Sequence, residues 1–161
     1  MASILNVDQI NEATTGGGVQ IPGHVVQVVT STTSTEVTNN TTSEVASGLS
    51  AVITPSSSSS KIFAIATIPI QRGSNSGNIE VEYYLKRGST KINTGQSKVN
   101  VNAIVQLQDE FSLSKLDSPS TTSATTYSVT FKETIQTNRY GSTMVCADST
   151  TATLTLMEIA Q

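Results

Sequence analysis

The residues that enzymes use for chemistry are few in this chain and lie far apart. His24 is the only histidine and Cys146 the only cysteine. A Ser-His-Asp triad would have to be built on His24, which follows Pro22-Gly23 in a short N-terminal segment. One histidine and one cysteine also fall short of the three or four nitrogen and sulfur ligands that a zinc site needs. Cys146 lies in a short apolar stretch, which favours a small core residue over a reactive thiol.

Two pairs of acidic residues imitate the spacing of catalytic or calcium-binding carboxylates. Glu80 and Glu82 share one face of a predicted strand, as a glycosidase pair could, but Lys86 follows on the same face. That mixture is typical of an ordinary solvated strand surface. Asp109 and Glu110 are adjacent, so on a strand their side chains point in opposite directions, which disfavours a shared calcium ion or proton.

Two further patterns are better explained by turns than by ligand binding. Gly16-Gly17-Gly18 is not followed by Lys-Ser or Lys-Thr, so it is not a phosphate-binding loop. Asp148, within Ala147-Asp148-Ser149-Thr150, is a typical turn-initiating residue. The sequence therefore predicts no catalytic residue, no cofactor-binding residue and no metal ligand, and a protein that is not an enzyme.

Loop residues offer the remaining candidates for binding. Five side chains in predicted turns suit hydrogen bonding and stacking against a ligand: Arg72, Asn75, Arg87, Arg139 and Tyr140. Binding residues are frequently carried on loops that a rigid scaffold positions. The alternative is that these are ordinary solvated turn residues.

Composition excludes several classes of protein. The net charge of -3 and the pI near 5.0 provide no basic surface for a phosphate backbone, so we expect no nucleic-acid partner. The N-terminus lacks a basic region followed by an apolar block, and no stretch approaches the roughly 20 apolar residues that span a bilayer. We therefore expect neither a signal peptide nor membrane insertion. A single cysteine allows no intrachain disulfide, so packing or assembly must supply stability.

Apolar periodicity predicts an all-β protein. With 36% hydrophobic and only 13% charged residues, a chain rich in Ser, Thr and Asn could be a disordered stalk. Residues 78–87, however, alternate apolar and polar side chains cleanly, and residues 61–71 are apolar on both faces, as in a strand at the middle of a sheet or at a subunit interface. Such strands recur at about ten-residue spacing with turn residues between them. This pattern predicts an antiparallel β-sandwich or jelly roll with almost no helix.

The chain divides into three predicted parts. Residues 1–30 form a short N-terminal β arm, residues 31–47 a Ser/Thr/Asn-rich loop with at most a weak edge strand, and residues 48–161 the sandwich body. The arm is too interrupted by glycine and proline to make a core of its own, and a lone hairpin is marginal in water. Its apolar side chains therefore need a partner, either equivalent arms or a socket on another protein. These side chains are Ile4, Leu5, Val7, Ile10, Val19, Ile21, Val25 and Val28.

Three stretches resemble a known family, the small virion proteins and fibre tips of marine and cyanobacterial phages. The first runs from Ala2-Ser3-Ile4-Leu5-Asn6-Val7-Asp8-Gln9-Ile10 to Val19-Gln20-Ile21-Pro22-Gly23-His24 and on through Val29. The second is Gly48-Leu49-Ser50-Ala51-Val52-Ile53-Thr54-Pro55, followed by serines and Lys61-Ile62-Phe63. The third joins Leu116-Asp117-Ser118-Pro119 and Thr125-Thr126-Tyr127 to the ending Thr153-Leu154-Thr155-Leu156-Met157-Glu158-Ile159.

The resemblance implies a phage virion component with a trimeric jelly-roll head of the tumour-necrosis-factor and C1q type. We therefore expect a short homotrimeric fibre or appendage of the tail, neck or head, located in the virion and anchored by its arm. Its expected partners are its own copies, a portal, neck, tail or capsid protein, and a host-surface glycan at the distal end. Alternatives are a capsid decoration or cement protein, and a carbohydrate-binding module that works alone.

Overall fold

The computed structural model describes residues 21–74, 77–101, 105–136 and 143–161. These residues form strands and one short 3-10 turn, which confirms the all-β prediction. In chain order the elements are β1 (Val25–Thr33), β2 (Val37–Asn39), β3 (Val45–Ile53), β4 (Lys61–Ser74), β5 (Gly77–Arg87), β6 (Thr90–Val101), β7 (Val105–Asp117), β8 (Thr125–Gln136), β9 (Thr143–Val145), the 3-10 turn (Ala147–Ser149) and β10 (Ala152–Ile159).

The strands form two antiparallel sheets. Sheet A has the order β1-β10-β4-β9-β2, with β7 also paired to β4, and sheet B has the order β3-β8-β5-β6. One edge of β4 pairs with β7 along its length. The other edge is shared, because β10 pairs with residues 61–67 of β4 and β9 with residues 70–72. Because β1 pairs with β10 and β2 with β9, sheet A is four ribbons wide: β1/β2, β9/β10, β4 and β7.

The pairing is nested along the chain. The first ribbon, β1/β2, pairs with the last, β9/β10, and then β3 pairs with β8, β4 with β7 and β5 with β6. This is the pairing of one long hairpin that has been folded over on itself. Every connection except β1–β2, β5–β6 and β9–β10 consequently crosses from one sheet to the other.

The core lies between the two sheets and is built by strand alternation. In β4 the inward side chains Ile62, Ala64, Ala66 and Ile68 are fully buried, whereas the alternate residues are only partly covered. Residues 61–71 therefore lie at the middle of a sheet, as predicted, but the second face is not fully buried within this chain. The largest apolar side chains of the core are Tyr83, Tyr127, Phe131, Leu49, Ile53, Leu85, Leu154 and Leu156.

The chain joins the sandwich earlier than the predicted boundaries at residues 30 and 48. β1 is a full strand of sheet A, and residues 31–47, predicted to be a loop, hold the end of β1, all of β2 and the start of β3. The Thr and Ser residues that suggested a loop are suited to the exposed side of an edge ribbon. The predicted arm residues 1–20 lie outside the described part of the chain.

Strand β6 is longer than its apolar pattern indicates. Local patterning predicts separate strands at residues 90–93 and 99–107, but β6 runs unbroken over Thr90–Val101 and β7 begins at Val105. The middle of β6 lacks apolar alternation because Gly95 lies beneath the ring of Phe111, which leaves no room for a side chain there. The apolar surface at that point thus comes from the neighbouring sheet.

Candidate functional surfaces

The sandwich has two ends of different character. At one end, which we call the arm end, residues 21–24 enter the fold and the C-terminal residues 160–161 leave it, because Val25 pairs with Ile159 and Ile159 with Lys61. At the opposite end, the loop end, strands β4, β6 and β8 finish and strands β5, β7 and β9 begin. Residues 21–24 therefore enter the body at the end opposite to the one where β4, β6 and β8 finish.

The point of entry is held by backbone hydrogen bonds. The Gly23 N–H donates to the carbonyl of Ala160 at 2.8 Å, and the Ala160 N–H donates to the carbonyl of His24 at 3.0 Å. His24 Nδ1 lies 3.0 Å from the backbone nitrogen of Ile21. His24 thus organises the turn ahead of β1, in keeping with a structural role.

Three of the eight predicted arm side chains can be located. Ile21, Val25 and Val28 are all exposed, at 56%, 46% and 56%. Val25 and Val28 belong to β1 and so to the body, whereas Ile21 precedes it. The other five, Ile4, Leu5, Val7, Ile10 and Val19, lie outside the described residues.

The predicted ligand-contact residues do not share one surface. Arg72 lies near the loop end but points between the sheets and is only 2% exposed. Its Nη1 donates to Ser97 Oγ at 2.7 Å, and its Nη2 lies 3.7 Å from Asp109 Oδ2. Arg87 lies at the arm end, where Nη1 donates to Asp117 Oδ2 at 2.8 Å. The surface role predicted for Arg72 is therefore wrong, because its guanidinium is buried; Asn75, Arg139 and Tyr140 lie outside the described residues.

Buried carboxylates, which the sequence reasoning missed, join distant parts of the chain. Glu158 is fully buried, and its Oε1 accepts hydrogen bonds from Ser56 N and Ser56 Oγ at 2.8 and 2.6 Å. Gln27 donates to the other oxygen. Burial works to raise the pKa of Glu158, but hydrogen bonds from Gln27, Ser56 and Ser60 together hold it below its usual value. Glu158 thereby fixes the serine-rich β3–β4 connection against β1 and β10.

Two further buried acids act in the same way at other places. Asp117 accepts from Arg87 and, at 2.7 Å, from the hydroxyl of Tyr127. Glu133 is fully buried and accepts from the backbone N–H and the hydroxyl of Thr143 at 3.0 and 2.8 Å. A detectable signal was present, since Glu133 and Glu158 occupy inward positions in strands that otherwise alternate cleanly.

The outer face of sheet B carries a network of paired charges. Glu44 accepts from Lys86 at 2.7 Å and lies 2.9 Å from Lys91. Lys132 lies 3.2 Å from Glu82, and the Lys91 ammonium sits 3.3 Å from the ring centre of Tyr84, which is almost fully covered. The hydrogen bond from Lys86 and those from Lys91 and Thr130 outweigh burial and lower the pKa of Glu44 to about 2.

Glu80 and Glu82, predicted to belong to a solvated strand face, lie in this network. Glu82 Oε2 is paired with Lys132 and also accepts from the Tyr84 hydroxyl, and the hydrogen bond from Tyr84 lowers its pKa despite some desolvation. Glu80 lies 3.7 Å from Lys98. Each carboxylate thus has its own cation, which is an arrangement of surface ion pairs.

The outer face of sheet A is different, because three consecutive rows of paired residues carry no charge. The rows run across β7, β4, β10 and β1. Val28 and Leu116 are exposed at 56% and 48%, and the other apolar members are partly covered. We call this surface the uncharged face; its residues are Leu116, Phe63, Met157 and Val28, then Ser114, Ile65, Thr155 and Thr30, then Ser112, Thr67, Thr153 and Thr32.

A shallow depression lies beside the uncharged face, under the 3-10 turn. Pro69, Gln71, Gln108 and Thr150 contribute to its lining. Gln71 and Gln108 both donate to Asp148 Oδ2, at 2.9 and 2.7 Å. The carboxylate of Asp148 therefore fastens the turn to sheet A, which agrees with the turn role predicted for it.

Cys146 is buried next to this turn. Its Sγ lies 3.4 Å from the carbonyl oxygen of Thr33, and burial raises the pKa of the thiol. This placement confirms the interpretation of Cys146 as a small core residue.

Metal clusters, membrane-spanning helices and sequence relatives are the remaining features that bear on function. Residues 21–74, 77–101, 105–136 and 143–161 contain no group of three or more His, Cys, Asp or Glu side chains arranged to hold a metal ion. Among the same residues, no helix has the length and apolar character required to cross a membrane. No protein-family model matches the chain, and no curated protein matches its sequence.

Proposed function

We propose that the chain is a structural component of a bacteriophage virion, a short homotrimeric appendage of the tail, neck or head, and not an enzyme. The observation that carries this proposal is the polarity of the sandwich. Residues 21–24 enter at the arm end, next to Ala160, and strands β4, β6 and β8 finish at the opposite end. An element that is anchored at one end and projects its opposite end has the layout of an appendage.

The nested strand pairing also supports the proposal. The sheet orders are β1/β2–β9/β10–β4–β7 and β3–β8–β5–β6, so the first ribbon pairs with the last and the pairing continues inwards. Such nested pairing supports a jelly-roll topology. Jelly rolls with two packed sheets are used in viral capsid and lectin domains. Because the same architecture serves many functions, it is the polarity and the phage-like N-terminal sequence that favour a virion role.

The two ends receive different roles in this proposal. The apolar arm residues that precede β1 attach the appendage to a portal, neck, tail or capsid protein, because their exposure in water would be costly. Asn75, Arg139 and Tyr140, which lie outside the described residues, are the candidate contacts for a host-surface glycan. Arg87 is excluded from this distal set because it lies at the arm end.

The proposal is tested by the incorporation of arm variants into particles of the phage that encodes the chain. We expect Leu5→Asp with Val7→Asp to abolish incorporation, measured by quantitative mass spectrometry of purified virions. Val52→Asp is the matched control, because Val52 is 52% exposed on the outer face of sheet B and does not belong to the arm. Normal occupancy of the arm variant would contradict anchoring by the arm. A chain absent from wild-type particles that binds glycans as a monomer would instead identify the carbohydrate-binding alternative.

A further inference from the structure

We propose that the loop end contains an internal binding site for one water molecule, which joins the Nε of Arg72, the hydroxyl of Tyr83 and the carboxylate of Asp109. These three side chains belong to β4, β5 and β7, so the bound water links both sheets. The inference concerns the interior of the sandwich and is independent of the proposed virion role.

Two buried polar atoms near the loop end have no hydrogen-bond partner among the described residues. They are the Nε of Arg72 and the hydroxyl oxygen of Tyr83, in side chains that are 2% and 0% exposed. A buried polar group without a partner costs free energy, and proteins satisfy such groups with internal water. The two atoms therefore indicate a small polar ligand between the sheets.

Strand packing places the two atoms in neighbouring layers of the interior. The ring of Tyr83 stacks on Phe111 of β7, with ring centres 4.5 Å apart. Asp109, two residues before Phe111 on the same strand, faces Nη2 of Arg72, whose Nη1 donates to Ser97 of β6. Two residues of a strand advance by only about 6.6 Å, so the phenol and the guanidinium lie close together.

The contact between Arg72 and Asp109 is too long for a direct hydrogen bond. Nη2 lies 3.7 Å from Oδ2, and Nε lies on the same edge of the planar guanidinium as Nη2. A polar contact of this length is a place where an intervening water is expected. A water on this edge accepts from the Nε–H and donates one hydrogen to Asp109. It thereby satisfies the unpartnered donor and completes the ion pair.

The groups around the site favour water over an anion. Asp109 already supplies a carboxylate, so a second anion beside it would be repelled. Burial raises the pKa of the Tyr83 hydroxyl well above its usual value, while the charge of Arg72 acts to lower it and that of Asp109 to raise it. The phenol therefore keeps its proton, and both charges act on it. A neutral water can bond the phenol, the guanidinium and the carboxylate at once, which is the usual number of partners for an internal water.

The first test uses the sign of the change in stability caused by Tyr83→Phe. This substitution removes the hydroxyl and keeps the ring that stacks on Phe111. If the hydroxyl bonds a water, its loss is unfavourable, and we expect the equilibrium constant for unfolding in urea to rise by about threefold or more. An unpartnered hydroxyl is instead costly to keep buried, so an unchanged or lower constant would overturn the site. Tyr127→Phe is the positive control, because the Tyr127 hydroxyl donates directly to Asp117.

A second measurement uses the wild-type chain and identifies the occupant directly. In crystals soaked in sodium bromide, we expect a density peak within hydrogen-bond distance of Arg72 Nε and the Tyr83 hydroxyl, without anomalous signal from bromide. An anomalous peak at this position would show that a halide ion is bound and that the assignment to water is wrong. The absence of any peak between the two side chains would overturn the site itself.

Discussion

Charged side chains in the interior define this fold at the scale of single residues. Arg72, Glu133 and Glu158 are at most 2% exposed, and each has specific hydrogen-bond partners on another part of the chain. A buried charge is tolerated when it is paired and costly when a partner is removed. These residues therefore specify which segments must meet.

Replacement of Glu158 by glutamine tests this role. Glu158→Gln keeps the shape of the side chain but replaces one accepting oxygen with an NH₂ group. That NH₂ then faces a hydrogen-bond donor of Ser56 or Gln27, so one hydrogen bond is lost. We expect the free energy of unfolding to fall by about 1–3 kcal/mol in urea titrations. The control is Glu110→Gln, an exposed position at which the midpoint should not move. Equal midpoints for the two variants would show that Glu158 does not hold the β3–β4 connection.

The second residue-scale prediction concerns Gly95. A Cβ at this position would overlap Phe111 Cζ and lie 2.9 Å from Leu113 Cδ2, so Gly95→Ala forces the Phe111 ring away from Tyr83, on which it stacks. We expect a loss of about 1–3 kcal/mol in thermal or urea unfolding. Thr94→Ala, the exposed neighbour in β6, should cost much less. A similar small effect at both positions would mean that Phe111 can move without penalty.

At the scale of strands, alternation predicted most of what the structure shows. The inward set Val81, Tyr83 and Leu85 of β5 is fully buried, as the sequence indicated. The prediction failed at Gly95 of β6, where the apolar side chain that fills the core comes from the facing strand. It also failed in residues 31–47, where the edge ribbon is composed largely of Thr and Ser. In both places the local sequence lacks the signal because the stabilising contact comes from another strand.

The charge network on sheet B makes the stability of this element depend on pH. The folded-state pKa of Glu44 is depressed from 4.5 to about 2, so its contribution is fully present above pH 4.5 and is lost as the pH falls toward 2. Because the side chain is partly exposed, we expect the contribution to be at most about 1 kcal/mol. Unfolding curves of Glu44→Gln should therefore converge on those of the wild-type chain at low pH. Glu36→Gln, at an exposed position outside this network, is the control.

At the scale of the whole molecule, the sequence indicated the sandwich but not its contacts across distance. The fold class could be predicted because period-two patterns are local. The burial of Arg72 and its separation from Arg87 at the opposite end could not be predicted from the sequence, because both depend on the register between distant strands. Of the predicted arm residues, Ile21, Val25 and Val28 fall within the described part of the chain, and all three are exposed, the last two within β1.

Neither His24 nor Cys146 is expected to matter for any chemistry of the whole molecule. Cys146→Ser retains a donor near the Thr33 carbonyl, and His24→Ala removes only a local contact with Ile21. We predict that both variants fold and assemble like the wild-type chain, by circular dichroism and sedimentation. We also predict that all three proteins lack turnover on ester and polysaccharide substrates. Turnover by the wild-type chain that either substitution abolishes would show that the protein is an enzyme.

The pairing of the first ribbon with the last has a consequence for how the protein is made. β1 hydrogen-bonds to β10, and Gln27 contacts Glu158, so sheet A cannot close until almost the whole chain has left the ribosome. Until then, apolar strands such as β4 lack a neighbour on one edge and are open to unwanted pairing with other nascent chains. Contacts between residues so distant in sequence also slow folding. Folding of the sandwich is therefore completed only once β10 has been synthesised and has paired with β1 and β4.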